Sequence, residues 1–119
     1  MREIIFYETP SGRHPVADYV SSLQVKAQAK VARALDLLQE FGPAIGQPHV
    51  KRLEGTGGLY ELRVPFGGQA HRLLFFLDGS DIVLVHGFTK KSDKIPRKEI
   101  QTAALRMKDY FQRKGRSKG

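Results

Sequence analysis

The 119-residue chain contains no cysteine. That one absence excludes a disulfide framework, a thiolate zinc site and a cysteine nucleophile, and it fits a cytosolic protein. No apolar run approaches the ~18 residues of a membrane span. The opening segment Met1-Arg2-Glu3-Ile4-Ile5-Phe6-Tyr7-Glu8 meets charge and turn residues too early for a signal peptide. The expectation is a soluble, cytoplasmic protein with no membrane partner. The four histidines show no ligand spacing and there is no H-E-x-x-H, so no metal site is expected. P-loop, G-x-G-x-x-G, G-x-S-x-G and zinc-finger patterns are absent too, and no cofactor is expected. Gly55-Thr56-Gly57-Gly58 has only the composition of a phosphate-cradling loop, because it leads into a strand-like run and not a helix N-terminus.

What the chain has is cationic charge, unevenly spread. Its formal net charge is +8, with a pI near 10.0. Residues 1–89 hold nine Lys/Arg against nine Asp/Glu, whereas residues 90–119 hold eleven against three, so the excess lies entirely in the last quarter. It follows directly on an apolar run, Ile82-Val83-Leu84-Val85-His86-Gly87-Phe88, which anchors the field to a buried strand. The partner such a field suits best is a polyanion, above all a phosphodiester backbone.

Length and composition fit one domain, over residues 1–112, with a basic, disordered tail at 113–119. Residues 3–7 read as a strand stopped by Thr9-Pro10-Ser11-Gly12. Pro15 opens a helix carrying Val16, Tyr19, Val20 and Leu23 at helical spacing. After a break near residues 21–24 the period resumes with Ala27, Val31, Ala34, Leu35, Leu38 and Phe41, until Gly42-Pro43 ends it. Residues 44–58 read as a glycine-rich connector containing the basic pair Lys51-Arg52. Three strand-like runs, 59–64, 71–77 and 81–88, are joined by turns too short for anything but an antiparallel meander. Pro96 opens a last helix with Ile100, Ala103, Ala104, Met107, Tyr110 and Phe111 on one stripe.

The fold class expected is therefore α+β, in the order β-α-α-β-β-β-α, with an antiparallel four-stranded sheet. Helices on one side would leave the other face to solvent or ligand. The second helix and the C-terminal helix should cover the sheet, with Leu35, Leu38, Leu62, Leu73, Phe75, Val83, Val85 and Met107 as its core.

Alternation places Tyr60, Leu62 and Val64 on one face of their strand, and Glu61 and Arg63 on the other. Glu61 and Arg63 read either as a solvated ion pair or as groups of an active face. Arg72 is an isolated charge in the apolar run His71-Arg72-Leu73-Leu74-Phe75-Phe76-Leu77. It reads either as a partner of Glu61 across the meander or as a planar fork for a phosphate. Lys90, Lys91 and Lys94 stand where the last strand ends and are candidate phosphate contacts, as are Lys51 and Arg52. His86 is a candidate for proton transfer against the alternative of a hydrogen-bonded core residue.

The layout resembles the RelE/ParE superfamily of bacterial toxin-antitoxin toxins, and within it the HigB-like, phage-derived branch. The residues that carry the likeness are Leu59-Tyr60-Glu61-Leu62-Arg63, His71-Arg72-Leu73-Leu74-Phe75 and above all His86-Gly87-Phe88-Thr89-Lys90-Lys91-Ser92-Asp93-Lys94-Ile95-Pro96-Arg97-Lys98-Glu99-Ile100. The resemblance implies a small basic endoribonuclease that cuts messenger RNA on the ribosome and is silenced by a cognate antitoxin, expected to be a helix-turn-helix protein. By position it assigns Arg72 to the scissile phosphate, Lys90 and Lys91 to the basic cluster after the last strand, and Glu61 and Arg63 to the charged positions of the active face. Lys91 and His86 complete the catalytic candidates. Where several relatives place a Tyr or His near the chemistry this chain has Phe88, with His86 two residues earlier, so the general acid stays open. Metal-free cleavage through the RNA 2′-hydroxyl needs a base, cations on the phosphorane and an acid. Glu61 is one base; a lysine is another, and can serve only in its neutral form, which repulsion within a cationic cluster favours. Two other classes fit the same charge pattern: a ParE-like inhibitor of DNA gyrase that cuts nothing, and a plain nucleic-acid-binding module.

Overall fold

The computed structural model describes residues 2–118, with side chains as far as Gly115. The chain forms β1 (Ile4–Phe6), α1 (Pro15–Ser21), α2 (Val25–Phe41), a 3-10 turn (Gly42–Ile45), β2 (Val50–Arg52), β3 (Tyr60–Phe66), β4 (Gln69–Asp78), β5 (Asp81–Lys90) and α3 (Arg97–Lys118). The five strands make one sheet in the order β1-β5-β4-β3-β2. The α+β class and the antiparallel meander are as expected. The hairpin between β3 and β4 turns at Gly67-Gly68, both at positive φ, as a two-residue turn that follows the strand twist requires.

Four expectations need correction. First, the sheet has five strands: β2 arises inside the supposed connector, where Val50, Lys51 and Arg52 pair with Leu62, Glu61 and Tyr60. Second, the sheet is mixed. β1 runs parallel to β5, with Ile4 against Ile82, because the intervening chain is long enough for a crossover that no short turn allows.

Third, the helices lie on both faces. Val16, Val31 and Leu38 of α1 and α2 pack on Leu62, Leu73, Phe75, Ile82 and Leu84. On the opposite face, Ile100, Ala103 and Met107 of α3 pack on Leu74, Phe76, Val83 and Val85. Both faces of a central strand must then be apolar, and β4 is buried over nearly its whole length. Fourth, α3 does not stop at residue 112. Arg113 holds its next turn to the first strand, donating to the Asp109 carboxylate and the Glu8 carbonyl and lying 5.6 Å from the Tyr7 ring. Residue 119 of the expected tail lies outside the described residues. No helix among the described residues is long and apolar enough to cross a membrane.

Most of the expected core is buried, but Leu35 and Met107 only partly so. Leu35→Ala is therefore expected to cost about 1 to 2 kcal/mol, below the loss at a fully buried leucine because part of the side chain already meets water. A urea midpoint shift equivalent to a full cavity loss would contradict that placement.

Candidate active site

The site is built on the α3-facing side of the sheet, beyond the point where α3 covers it. Register sets Lys51 beside Glu61, and Arg63 beside Arg72, which in turn faces Phe88. Strand alternation then turns all five polar and aromatic side chains to one face, as their sequence spacing predicts. β5 reaches this face through a bulge. Leu74 pairs with His86 and Phe75 with Leu84, so Val85 has no partner of its own. The extra residue lets Val85 and His86 both turn toward α3 and puts Phe88 on the same side as Arg72.

Arg72 is the centre of the face, and it is buried, at 1% exposure. Its Nη1 donates to Glu61 Oε2 at 2.7 Å and to the Asp93 carbonyl at 3.2 Å, and its Nη2 donates to the Ser92 carbonyl at 2.5 Å. Glu61 is a diagonal neighbour across the β3/β4 ladder, close enough for such a pair. The segment that follows β5 thus folds back over the arginine with its backbone oxygens. Of the two readings the sequence left for Arg72, the ion pair with Glu61 is the one this conformation displays. The guanidinium presents no free fork to a phosphate.

Arg63 differs. It stands near the sheet edge, beyond the three residues that β2 covers, and 32% of its side chain is exposed. One oxygen of Asp93, Oδ1, lies 3.8 Å from Nη2 of Arg63 and 3.8 Å from Nη2 of Arg72. The Nε atoms of both arginines are buried with no hydrogen-bond partner among the described residues.

Open clefts flank this pair. In one, of about 350 Å³, Lys51, Arg52 and Lys94 meet Glu61 and Asp93. In the other, of about 420 Å³, Arg63 and Lys91 join Lys30 and the Phe66-Gly67-Gly68 turn. The structure therefore brings together Lys51, Arg52, Arg63, Lys91 and Lys94 around Arg72. Lys90 is exposed nearby, at the last position of β5, but lines neither cleft.

His86 lies on this face, stacked on Phe88 with ring centroids 5.7 Å apart, and both its nitrogens are engaged. Arg106 donates to Nδ1 at 3.1 Å, and a guanidinium has no lone pair to accept with, so Nδ1 is the acceptor. Nε2 carries the proton and donates to Glu99 at 2.8 Å. In this conformation His86 ties β5 to α3 through both ring nitrogens. Burial lowers the pKa of Arg106. Neither Arg106 nor Glu99 was singled out from the sequence, because their role depends on how α3 docks. Asp93 was not singled out either, although its signal is present: it is the one acid in a stretch with Lys90, Lys91 and Lys94.

On the opposite face a second network fixes the strand from which the cationic segment departs. Tyr19, His71 and Thr89 share hydrogen bonds of 2.6 to 3.1 Å. Desolvation lowers the pKa of His71 and raises that of Tyr19. A Cβ at Gly87 would lie 2.5 Å from the Tyr19 ring, so only glycine lets α1 come this close to β5. Among the described residues no group of three or more His, Asp or Glu is placed to hold a metal ion.

Comparison with known proteins agrees with the fold. A double mutant of the E. coli toxin RelE in its free state superposes on 89% of this chain and 96% of its own, with a TM-score of 0.59 at 11% sequence identity. No curated protein sequence matches significantly. The profile of the phage-derived Gp49-like proteins matches residues 18–108, from α1 through most of α3 and across every residue of the site. The structural match bears out the RelE-like fold, and the profile match shows that the chain belongs to the phage-derived Gp49-like family.

Proposed function

We propose that the protein is the toxin of a toxin-antitoxin pair and acts as a metal-independent endoribonuclease on messenger RNA engaged by the ribosome, in the cytoplasm. The observation that carries the reading is the single sheet face on which Arg63, Arg72 and Glu61 lie between two lysine-lined clefts. Cations alone would suit any nucleic-acid binder. A carboxylate held among them is what a proton transfer needs. RelE is called a toxin and shares the fold, and the cognate partner would be a small antitoxin protein.

In this reading Lys51, Lys91 and Lys94 hold the RNA backbone on either side of the scissile phosphate. The 2′-hydroxyl oxygen attacks the adjacent phosphorus as its proton leaves to a base. Glu61 serves if residues 92 and 93 lift away; a neutral lysine of the cluster is the other candidate. Arg63 stabilises the charge that grows on the phosphorane oxygens. The 5′-oxygen takes a proton from a charged lysine of the cluster or from water as its bond to phosphorus breaks, leaving a 2′,3′-cyclic phosphate and a 5′-hydroxyl end.

The test is incubation of purified protein with programmed ribosomes in excess EDTA. The expected result is cut messenger ending in a 2′,3′-cyclic phosphate or the derived 3′-phosphate. Intact messenger in cells whose growth has stopped, with gyrase trapped on DNA, would replace this reading with the gyrase inhibitor.

A further inference from the structure

We infer that Asp93 is an internal occupant of the phosphate site, a carboxylate that holds the place of an RNA phosphate and must be displaced before the site can bind RNA. The inference rests on the proposed RNA reading and adds a regulatory element to it. Three observations carry it.

The first is position. A single oxygen of Asp93 is equidistant from the two guanidiniums of the face, 3.8 Å from Nη2 of each. An oxyanion bridging two arginines is the arrangement a phosphodiester would adopt there, since guanidinium forks match carboxylate and phosphate alike. The second is exposure. The Asp93 side chain is 93% exposed although it lies over an arginine that is 1% exposed. An ion pair so open to water is weak and readily exchanged for another anion. The third is incomplete satisfaction. Arg63 Nε and Arg72 Nε are buried and lack partners among the described residues, so the forks retain donors that this carboxylate does not use. Once residues 92 and 93 lift away, a phosphate, with more oxygens than one carboxylate contact engages, can approach donors that the closed segment leaves unused.

The backbone completes the device. The carbonyls of Ser92 and Asp93 accept from the same guanidinium, so displacing the carboxylate also loosens residues 92 and 93 from Arg72. Lys91 and Lys94, on either side, are exposed and would follow the incoming phosphate. Anion binding and opening of the segment over Arg72 are thereby one event.

Asp93→Asn keeps size and hydrogen bonding but removes the charge. The probe is a short 2′-O-methyl oligoribonucleotide, which cannot be cleaved, titrated at low salt against wild type, Asp93→Asn and Glu54→Gln. Glu54 is an exposed carboxylate lining the cleft on the Lys51 side, so its variant controls for the gain of one net positive charge. Asp93→Asn is expected to bind about 5- to 10-fold more tightly than wild type, and Glu54→Gln less than 2-fold more tightly. In an Arg63→Ala background the gain from Asp93→Asn should shrink to the level of the control. If the wild type binds the oligonucleotide but Asp93→Asn gains no more than Glu54→Gln, the internal-occupant inference fails and the RNA reading stands. If no variant binds, the RNA reading fails and takes the inference with it.

Discussion

Replacing Arg72 with alanine is expected to cost about 3 to 5 kcal/mol of stability, the range typical of a buried pair stripped of one partner. Glu61 is itself buried, and its partner is the Arg72 guanidinium at 2.7 Å. Alanine would leave that carboxylate without its countercharge and take a donor from the carbonyls of Ser92 and Asp93. Arg72→Lys should recover only part of the loss, because a point ammonium cannot serve three acceptors spread around a planar fork. The double replacement Arg72→Met with Glu61→Leu should regain most of it, since a packed apolar pair avoids the desolvation of both charges. Urea unfolding followed by circular dichroism measures all three. An Arg72→Ala midpoint equal to wild type would show that the pair is not structural. It would favour the other reading that the sequence leaves open, a guanidinium kept for a phosphate.

Arg63→Ala is the complementary case, with the effect expected in rate and not in stability. Its guanidinium is partly exposed, and the carboxylate it approaches, that of Asp93, is itself open to water, so removal strands no buried carboxylate. If Arg63 stabilises the phosphorane, single-turnover cleavage on ribosomes should fall by roughly 10² to 10³, by analogy with the loss of one oxyanion donor. The unfolding midpoint should barely move. Arg63→Lys should restore part of the rate through charge alone. A folded Arg63→Ala protein that cleaves at the wild-type rate would remove Arg63 from the chemistry.

These two arginines show how far sequence reading reaches. Periodicity is a local property, so alternation in Leu59-Tyr60-Glu61-Leu62-Arg63 was enough to place Glu61 and Arg63 on one face, and the short turns were enough to bring Arg72 to the same face. Whether Arg72 is open depends on the path of residues 91–96 after the strand ends, which no spacing encodes. Elements whose partners are distant were equally hidden. β2 is three residues long in a glycine-rich stretch and exists because β3 offers it an edge. β1 looked like the edge of an antiparallel sheet because a strand run carries no mark of its neighbour's direction. The apolar stripe of α3 was legible, but a stripe does not say which side of a sheet it will cover. The bulge at Val85 illustrates the opposite limit: strict alternation along β5 would separate Val85 from His86, and one extra residue reunites them.

The parallel pairing of β1 and β5 also sets the order in which the protein can be completed. β1 is made first, yet its ladder partner is β5, close to the end of the chain, and the helix that buries Tyr7 through Asp109 comes later still. The first strand must wait with its backbone groups unpaired while the meander forms locally, and long-range closure of this kind is the slow step of a fold. The sheet is therefore closed on the β1 side only once β5 and the helix that follows it are both available to the first strand.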